Sequence, residues 1–314
     1  MRTSRIIGIT ITLLVVLIFA VYFLLNTENF KPLLDANYYL LTIAALGYVG
    51  GIFANGLFIK FILEPFKKFI ATSEAFYVSV ISSVGNFFAP AGTGFGIRAV
   101  YLKKKHGLAY SEFISTLSGS YILVFLVSSF VGLLSLTALR QYYGVQWLVL
   151  GVVFLAMFIG SLLISLFRVQ LAEPRTVKHD RINALRRNVY RVINGWSRIA
   201  SNKELILKLL GLTCANLALT VVIYWAVIHS VGLNATLPAL LLLSVLGSLS
   251  IFVNITPANL GVKEAIYIFS AGVLGFSVGE MVLIALVDRG VQFTVLLILW
   301  LFASRVQAKE KLLS

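Results

Sequence analysis

Charge is scarce in this chain and acid scarcer still: Asp and Glu together number 12, against 26 Lys and Arg in 314 residues. A water-soluble domain draws about a quarter of its residues from the charged set. With only 12% charged and 59% hydrophobic residues, this sequence cannot clothe a soluble globule. The one cysteine, Cys214, lies within an apolar run, which excludes a disulfide framework and a cysteine metal centre. His106, His179 and His229 are too widely separated to offer metal-ligand spacing. No GxxxxGK[ST] run occurs, so nucleotide-driven transport has no phosphate-binding loop here. No cofactor and no metal are expected.

What the chain has in abundance is apolar length. Runs long enough to cross a bilayer recur at Ile6–Leu25, Tyr38–Ile59, Phe113–Leu139, Val145–Phe167, Leu205–Val231 and Met281–Ala303. The first lacks a small-residue cleavage site and reads as a retained helix. The net charge of +14 would suit a nucleic-acid binder, but no basic block sits in a soluble nucleic-acid fold, and none is expected as a partner. The basic residues instead mark one side of a membrane. Segments assigned to the cytoplasm hold 22 of the 26 Lys and Arg, and external loops hold only Lys31 and Arg140. Both termini are thereby expected in the cytoplasm, and the membrane is expected to be the cell membrane. The spacing Gly47-xxx-Gly51 predicts a helix-packing face.

Two stretches interrupt this pattern in the same way. Asn86, Pro90, Gly92, Gly94, Gly96 and Arg98 form the first; Asn254, Pro257, Gly261 and Lys263 form the second. Gly96-Ile97-Arg98 matches Gly261-Val262-Lys263, and each break is followed by a glycine with glutamate five positions on, Gly107 to Glu112 and Gly275 to Glu280. The apolar run Phe76–Phe88 spans roughly 20 Å as a helix, short of the roughly 30 Å hydrocarbon core. Segments 76–105 and 237–273 therefore read as re-entrant helical hairpins whose tips lie deep in the protein. The expected fold is an all-α polytopic membrane protein, a single transmembrane domain over 1–314. It has six full transmembrane helices plus two oppositely entering hairpins, arranged as an inverted repeat. The loop 168–204 is cytoplasmic and basic, with apolar residues from Ile182 to Ile199 at helical spacing. It suits either the anionic inner leaflet or packing on its own bundle.

Ionisable groups at membrane depth mark candidate substrate or ion paths. Here they are Arg98, Lys263, Glu264, Asp288 and Arg289. Arg98 and Lys263 each fall in the first turn after a break, where free N–H groups and the positive helix end face inward. Three cations and two helix N-termini against two acids favour an anion, and a phosphate-bearing lipid headgroup is the natural one at that depth. Two alternatives stand beside a lipid translocase. One is a secondary transporter of a small anionic solute; the other is a membrane-embedded transferase acting on a lipid-linked substrate. Lys263–Glu264 and Asp288–Arg289 also suit internal ion pairs that only hold the hairpins together. Asn86 and Asn254 suit capping of unwound backbone, and Glu112 and Glu280 suit helix starts.

Pro257-Ala-Asn-Leu-Gly-Val-Lys-Glu264, followed by Asp288-Arg289, resembles the flippase-like membrane region of the lysylphosphatidylglycerol synthases. That family's second motif runs Pro-Gly-Gly-x-Gly-x-Arg/Lys-Glu with an Arg in the next helix. Pro257, Gly261, Lys263, Glu264 and Arg289 match it, while Ala258 and Asn259 replace two glycines. Asn86, Pro90, Gly92, Gly94 and Arg98 match the first motif. Many relatives carry Glu-Arg where this chain has Ser120-Tyr121. The resemblance implies a translocase that moves a phospholipid or polyprenyl-linked headgroup between leaflets. The synthases also carry a soluble aminoacyl-transferase domain. This sequence closes at Ser314, shortly after its last apolar run, so no enzyme activity is expected and a separate lipid-modifying enzyme is an expected partner.

Overall fold

The computed structural model describes residues 27–89, 92–166, 190, 193–250 and 256–313. The first apolar run, Pro90, Asn254 and most of the basic loop lie outside them. Nine helices carry the architecture of the described residues: α1 (Tyr38–Ile62), α2 (Thr72–Phe88), α3 (Thr93–His106), α4 (Tyr110–Ala138), α5 (Val145–Leu166), α6 (Lys203–Ser230), α7 (Leu237–Ser250), α8 (Val262–Leu274) and α9 (Val278–Leu313). Residues 193–201 add a helical segment, and there is no strand among the described residues. Five helices, α1, α4, α5, α6 and α9, are long and apolar enough to cross a membrane. The chain is a multi-pass integral membrane protein. On α5 only Leu150, Phe154 and Ser161 are buried, and Val152, Leu155, Ile159 and Leu163 point outward, as a lipid-facing helix requires.

Helix boundaries follow from capping more than from hydropathy. Asn37 accepts the Tyr39 N–H at 3.0 Å and starts α1. Glu112 accepts the Ala109 N–H at 2.9 Å, so α4 begins three residues before its apolar run; Glu280 accepts the Ser277 N–H at 2.7 Å and sets the start of α9. Just upstream, α3 and α8 each end on a left-handed glycine, Gly107 at φ 63° and Gly275 at φ 79°. A side chain there would be strained, which is why both positions are glycine. The last helix runs to Leu313, ten residues past the apolar run that announced it, because Ser304–Leu313 contains no glycine or proline to stop it.

Glycine faces set the packing. A Cβ at Gly47 would lie 2.7 Å from Ile223, and one at Gly51 would lie 3.2 Å from Asn216, so α1 meets α6 at close range. Gly132 lies under the Phe154 ring and joins α4 to α5 in the same manner. The helical segment 193–201 buries Trp196, Ile199 and Ala200 in the core. The Trp196 ring covers Gly119, and its Nε1 donates to the Ile164 carbonyl at 3.2 Å. At least this end of the basic loop packs on the bundle and does not lie in a leaflet. The large ring finds its slot where Gly119 leaves one.

The two short-helix pairs, α2 with α3 and α7 with α8, position the site. In the first, Gly85 faces Gly94 at one end, while Glu74 meets Tyr101 and His106 at the other, so the helices are antiparallel. In the second, Gly247 faces Tyr267. At 17 and 14 residues for the first pair and 14 and 13 for the second, each helix is shorter than a crossing. The tip of α2 touches the 3-10 turn Pro257–Asn259 that precedes α8, which brings the two breaks together.

Candidate functional site

Where the breaks meet, a cavity of about 380 Å³ opens between α1, α4, α6 and the two helix pairs. Its wall includes Asn86, Phe95 and Arg98 from the first pair and Ala258, Asn259 and Lys263 from the second. Gly94 brings the first pair together at its tip. A Cβ on it would collide with the Ser82 carbonyl and the Asn86 side chain. The space goes instead to a hydrogen bond, Gly94 N–H to Asn86 Oδ1 at 2.9 Å, which caps the start of α3 with a neutral group. Asn86 has the capping role that its place in the sequence suggested.

The start of α8 is capped differently. Glu264 Oε2 accepts the Gly261 N–H at 2.7 Å, and its other oxygen takes Arg289 Nε. The Arg289 guanidinium reaches further, to the Ala258 carbonyl at 2.9 Å and the Asn259 carbonyl at 3.2 Å. Both carbonyls come from left-handed residues, Ala258 at φ 52° and Asn259 at φ 59°. Such backbone is disfavoured by about 1–3 kcal/mol per residue and persists only where its surroundings dictate it. These are the positions at which the motif of the synthase membrane region has glycine. The turn keeps the glycine-like path, and Arg289 holds it there.

Lys263 Nζ lies 2.5 Å from Asp288 Oδ2, and Asp288 Oδ1 takes the Tyr48 hydroxyl. Asp288 is wholly buried, and the Tyr224 and Tyr267 rings flank the ammonium at 5.7 and 5.6 Å. A buried pair of this kind is favourable only when the remaining lone pairs are also satisfied, and here Tyr48 satisfies one. The four second-half residues singled out by sequence thus form two ion pairs, Lys263–Asp288 and Glu264–Arg289. Together they are electrically neutral.

Arg98 differs. It is only 8% exposed, has no ion pair among the described residues, and its Nε has no hydrogen-bond partner. The guanidinium rests between Phe95 and Phe113, 5.3 and 5.6 Å from the ring centroids. Desolvated cation–π contacts return about 2 kcal/mol each, and they leave the desolvation of a buried charge without a counter-ion. A second orphan shares the cavity. Asn259 Nδ2 donates to the Ser250 carbonyl, but its buried Oδ1 has no partner.

Among the described residues, the cavity lining contains no carboxylate and no histidine. Among the described residues no three His, Cys, Asp or Glu side chains converge as a metal site would need. Gly92 and Gly261 precede α3 and α8 with positive φ, Gly96 has open space around it, and Pro257 starts the 3-10 turn. Pro90 and Asn254 fall outside the described residues. Sequence reasoning missed Tyr48, the Tyr224–Tyr267 hydroxyl pair and Asn259. Nothing in the spacing connects Tyr48 with Asp288, which lies 240 positions away. Phe95, one turn before Arg98 on the same face, was within reach of a helical-spacing argument.

The family model for the lysylphosphatidylglycerol synthase TM region matches residues 5–299. No curated protein matches the chain. The match covers nearly the whole sequence, and the chain belongs to that family.

Proposed function

We propose that this family member is a lipid translocase of the cytoplasmic membrane, moving an anionic or polyprenyl-linked headgroup between leaflets. Both termini face the cytoplasm. The helix pairs α2–α3 and α7–α8 are re-entrant hairpins entering from opposite faces as an inverted repeat. The observation that carries this reading is Arg98, a buried cation without a carboxylate partner among the described residues, which lines a cavity where two helix breaks meet. An anion arriving there supplies the missing partner, and Arg98 supplies its binding. Lys263 and Arg289 hold the second break in shape through Asp288 and Glu264.

The substrate is amphipathic because the protein offers both kinds of surface. Beside the second tip lies an apolar cleft of about 520 Å³, walled by Phe125, Phe154, Met157, Leu249, Ile266 and Phe269, which suits an acyl or prenyl chain. Translocation is favoured over group transfer because among the described residues no carboxylate or histidine lines the cavity. A separate enzyme would then make or modify the lipid.

Headgroup exposure in proteoliposomes tests the proposal, with labelled anionic and zwitterionic lipids and the variants Arg98→Ala, Lys263→Ala and Arg289→Ala. Expected is faster exchange of anionic lipid, abolished in Arg98→Ala while that variant keeps its fold. Exchange unchanged by Arg98→Ala would remove the site from this mechanism.

A further inference from the structure

The two ion pairs of the second half have different attachments. Glu264 and Arg289 hold backbone: Glu264 caps the Gly261 N–H, and Arg289 binds the Ala258 and Asn259 carbonyls of the turn. Among the described residues, the side chains of Lys263 and Asp288 hold no backbone. Their partners are each other, the Tyr48 hydroxyl, and the Tyr224 and Tyr267 rings that flank the ammonium. The Lys263–Asp288 pair can therefore open while Arg289 and Glu264 keep the break in shape. A charge pair at membrane depth that braces no turn is free to exchange its partners.

The members of that pair are not equally accessible. Lys263 lines the cavity and keeps 12% of its side chain exposed, whereas Asp288 is wholly buried behind it and does not line the cavity. Tyr48, half-buried on α1, does line the cavity, and its hydroxyl donates to Asp288 Oδ1. An anion in the cavity thus reaches the lysine and not the acid, while a proton reaches the acid through the tyrosine hydroxyl. If the anion took Lys263 with Asp288 still ionised, a bare carboxylate would remain in a buried site, the costly half of a broken pair. Protonating Asp288 removes that cost. The groups around it offer no second cation in exchange. Tyr48 from α1, Tyr224 from α6 and Tyr267 from α8 bring hydroxyls, and Arg289 is committed to Glu264. Of the other elements packed on α9, α2 keeps Glu74 at the base of its pair with His106 and Lys105. The 3-10 turn Thr27–Leu33 keeps Lys31 on Glu28 at 2.5 Å.

Resting on the translocase reading above, we propose that Asp288 is the coupling site for a proton that travels with the anionic substrate. A proton from cavity water joins the Tyr48 oxygen as the Tyr48 hydroxyl proton passes to Asp288 Oδ1. The tyrosine is unchanged, and the carboxylate becomes a neutral carboxylic acid. Lys263, released from Asp288, turns its ammonium to the anion held by Arg98. One negative charge and one proton then cross together, so the cycle moves no net charge and runs down a pH gradient. On release, the acid returns its proton by the same hydroxyl and recaptures Lys263. The linkage is reciprocal: a proton on Asp288 tightens anion binding, and anion binding draws a proton onto the protein.

The test counts protons. Dioleoylphosphatidylglycerol, a diester whose own charge is constant near neutral pH, is titrated into the detergent-purified full chain in weakly buffered solution with a pH dye. Expected is uptake of about one proton per lipid bound, with affinity falling about tenfold for each unit of rising pH. Binding that is the same at every pH, with no proton taken up, would overturn the proposal. Asp288→Asn mimics the protonated acid and should bind without uptake and without pH dependence; a proton still taken up by that variant would overturn Asp288 as its carrier. Because Asp288→Asn also breaks the ion pair, Tyr48→Phe is the second variant. It should keep the proton count and slow gradient-driven transport, and transport as fast as in the unmodified chain would overturn Tyr48 as the path. In phosphatidylcholine vesicles with a trace of acyl-labelled phosphatidylglycerol, an imposed pH gradient should move label into the leaflet on the alkaline side. A potassium diffusion potential alone should not, and movement driven by that potential would overturn the proton as companion. Arg98-dependent exchange with no proton uptake overturns the coupling but leaves the translocase; proton-linked binding without any exchange does the reverse.

Discussion

Arg98 and Lys263 hold matching places after matching breaks, yet their energetics differ. Lys263 has Asp288 at 2.5 Å, while Arg98 has two aromatic faces and no acid among the described residues. Removing one partner of a buried pair leaves a bare charge and costs about 3–5 kcal/mol. Asp288→Asn should accordingly lower the thermal midpoint of the purified protein by many degrees. Arg98→Gln deletes a charge that was never compensated. It forfeits about 2 kcal/mol for each of two cation–π contacts and recovers a desolvation penalty of several. The expected midpoint is unchanged or raised. That outcome would support the ligand-binding role proposed for Arg98. A collapse in Arg98→Gln as large as that in Asp288→Asn would instead make Arg98 part of the scaffold. The candidate residues were legible in the sequence because charge in an apolar run is conspicuous. Their division into a closed network and an open cation was not. It depends on Asp288 lying beside Lys263 and on Tyr48 reaching Asp288 from another helix.

At the scale of elements, the breaks announced themselves through proline, glycine and the shortness of the flanking runs, and the helices stop and start there. Boundaries were less legible. Capping by Glu112 and Glu280 moves helix starts ahead of the apolar runs, and Trp196 turns part of a basic loop into core. The base of the first pair holds a contact that no periodicity revealed. Glu74 Oε1 lies 2.8 Å from the Tyr101 hydroxyl, 2.8 Å from His106 Nε2 and 3.0 Å from Lys105 Nζ, tying the ends of α2 and α3 together. Partial burial pushes the Glu74 carboxyl up, but hydrogen bonds to His106, Tyr101 and Lys105 outweigh it and hold it below its ordinary 4.5. A depressed carboxyl contributes stability above its unfolded value and loses it as the pH falls through the folded one. Hydrogen-exchange protection in the last turn of α3, with the intrinsic pH dependence of amide exchange divided out, should therefore be high at neutral pH and fall as the pH drops through the depressed Glu74 value. Glu74→Gln should show low protection throughout. Protection that is independent of pH in the unmodified chain would show that the clamp contributes nothing to holding the pair closed.

For the whole molecule, the decisive quantity is the parity of crossings between the two helix pairs. The base of the first pair, near Lys104, is separated from the end of α8, near Ser277, by α4, α5 and α6, each long enough to span, and by a second pair too short to do so. Three crossings are an odd number, so on the proposed topology the two points are expected on opposite faces of the membrane. Charge agrees. Lys103, Lys104 and Lys105 crowd the first point, as the cytoplasmic side attracts, while 275–279 carries no charge. Both residues are exposed and accept a probe. With Cys214→Ser removing the native thiol, Ser277→Cys should react with an impermeant maleimide on intact cells. Lys104→Cys should react only after permeabilisation. Labelling of both from one side would mean that α7–α8 crosses fully or that one of the three spans does not. The two breaks would then face the same leaflet and not converge from opposite ones. Convergence is what translocation needs from this architecture. A single site reached alternately by two hairpins lets one cation serve both leaflets, whereas two hairpins on one face would make Arg98 a one-sided receptor.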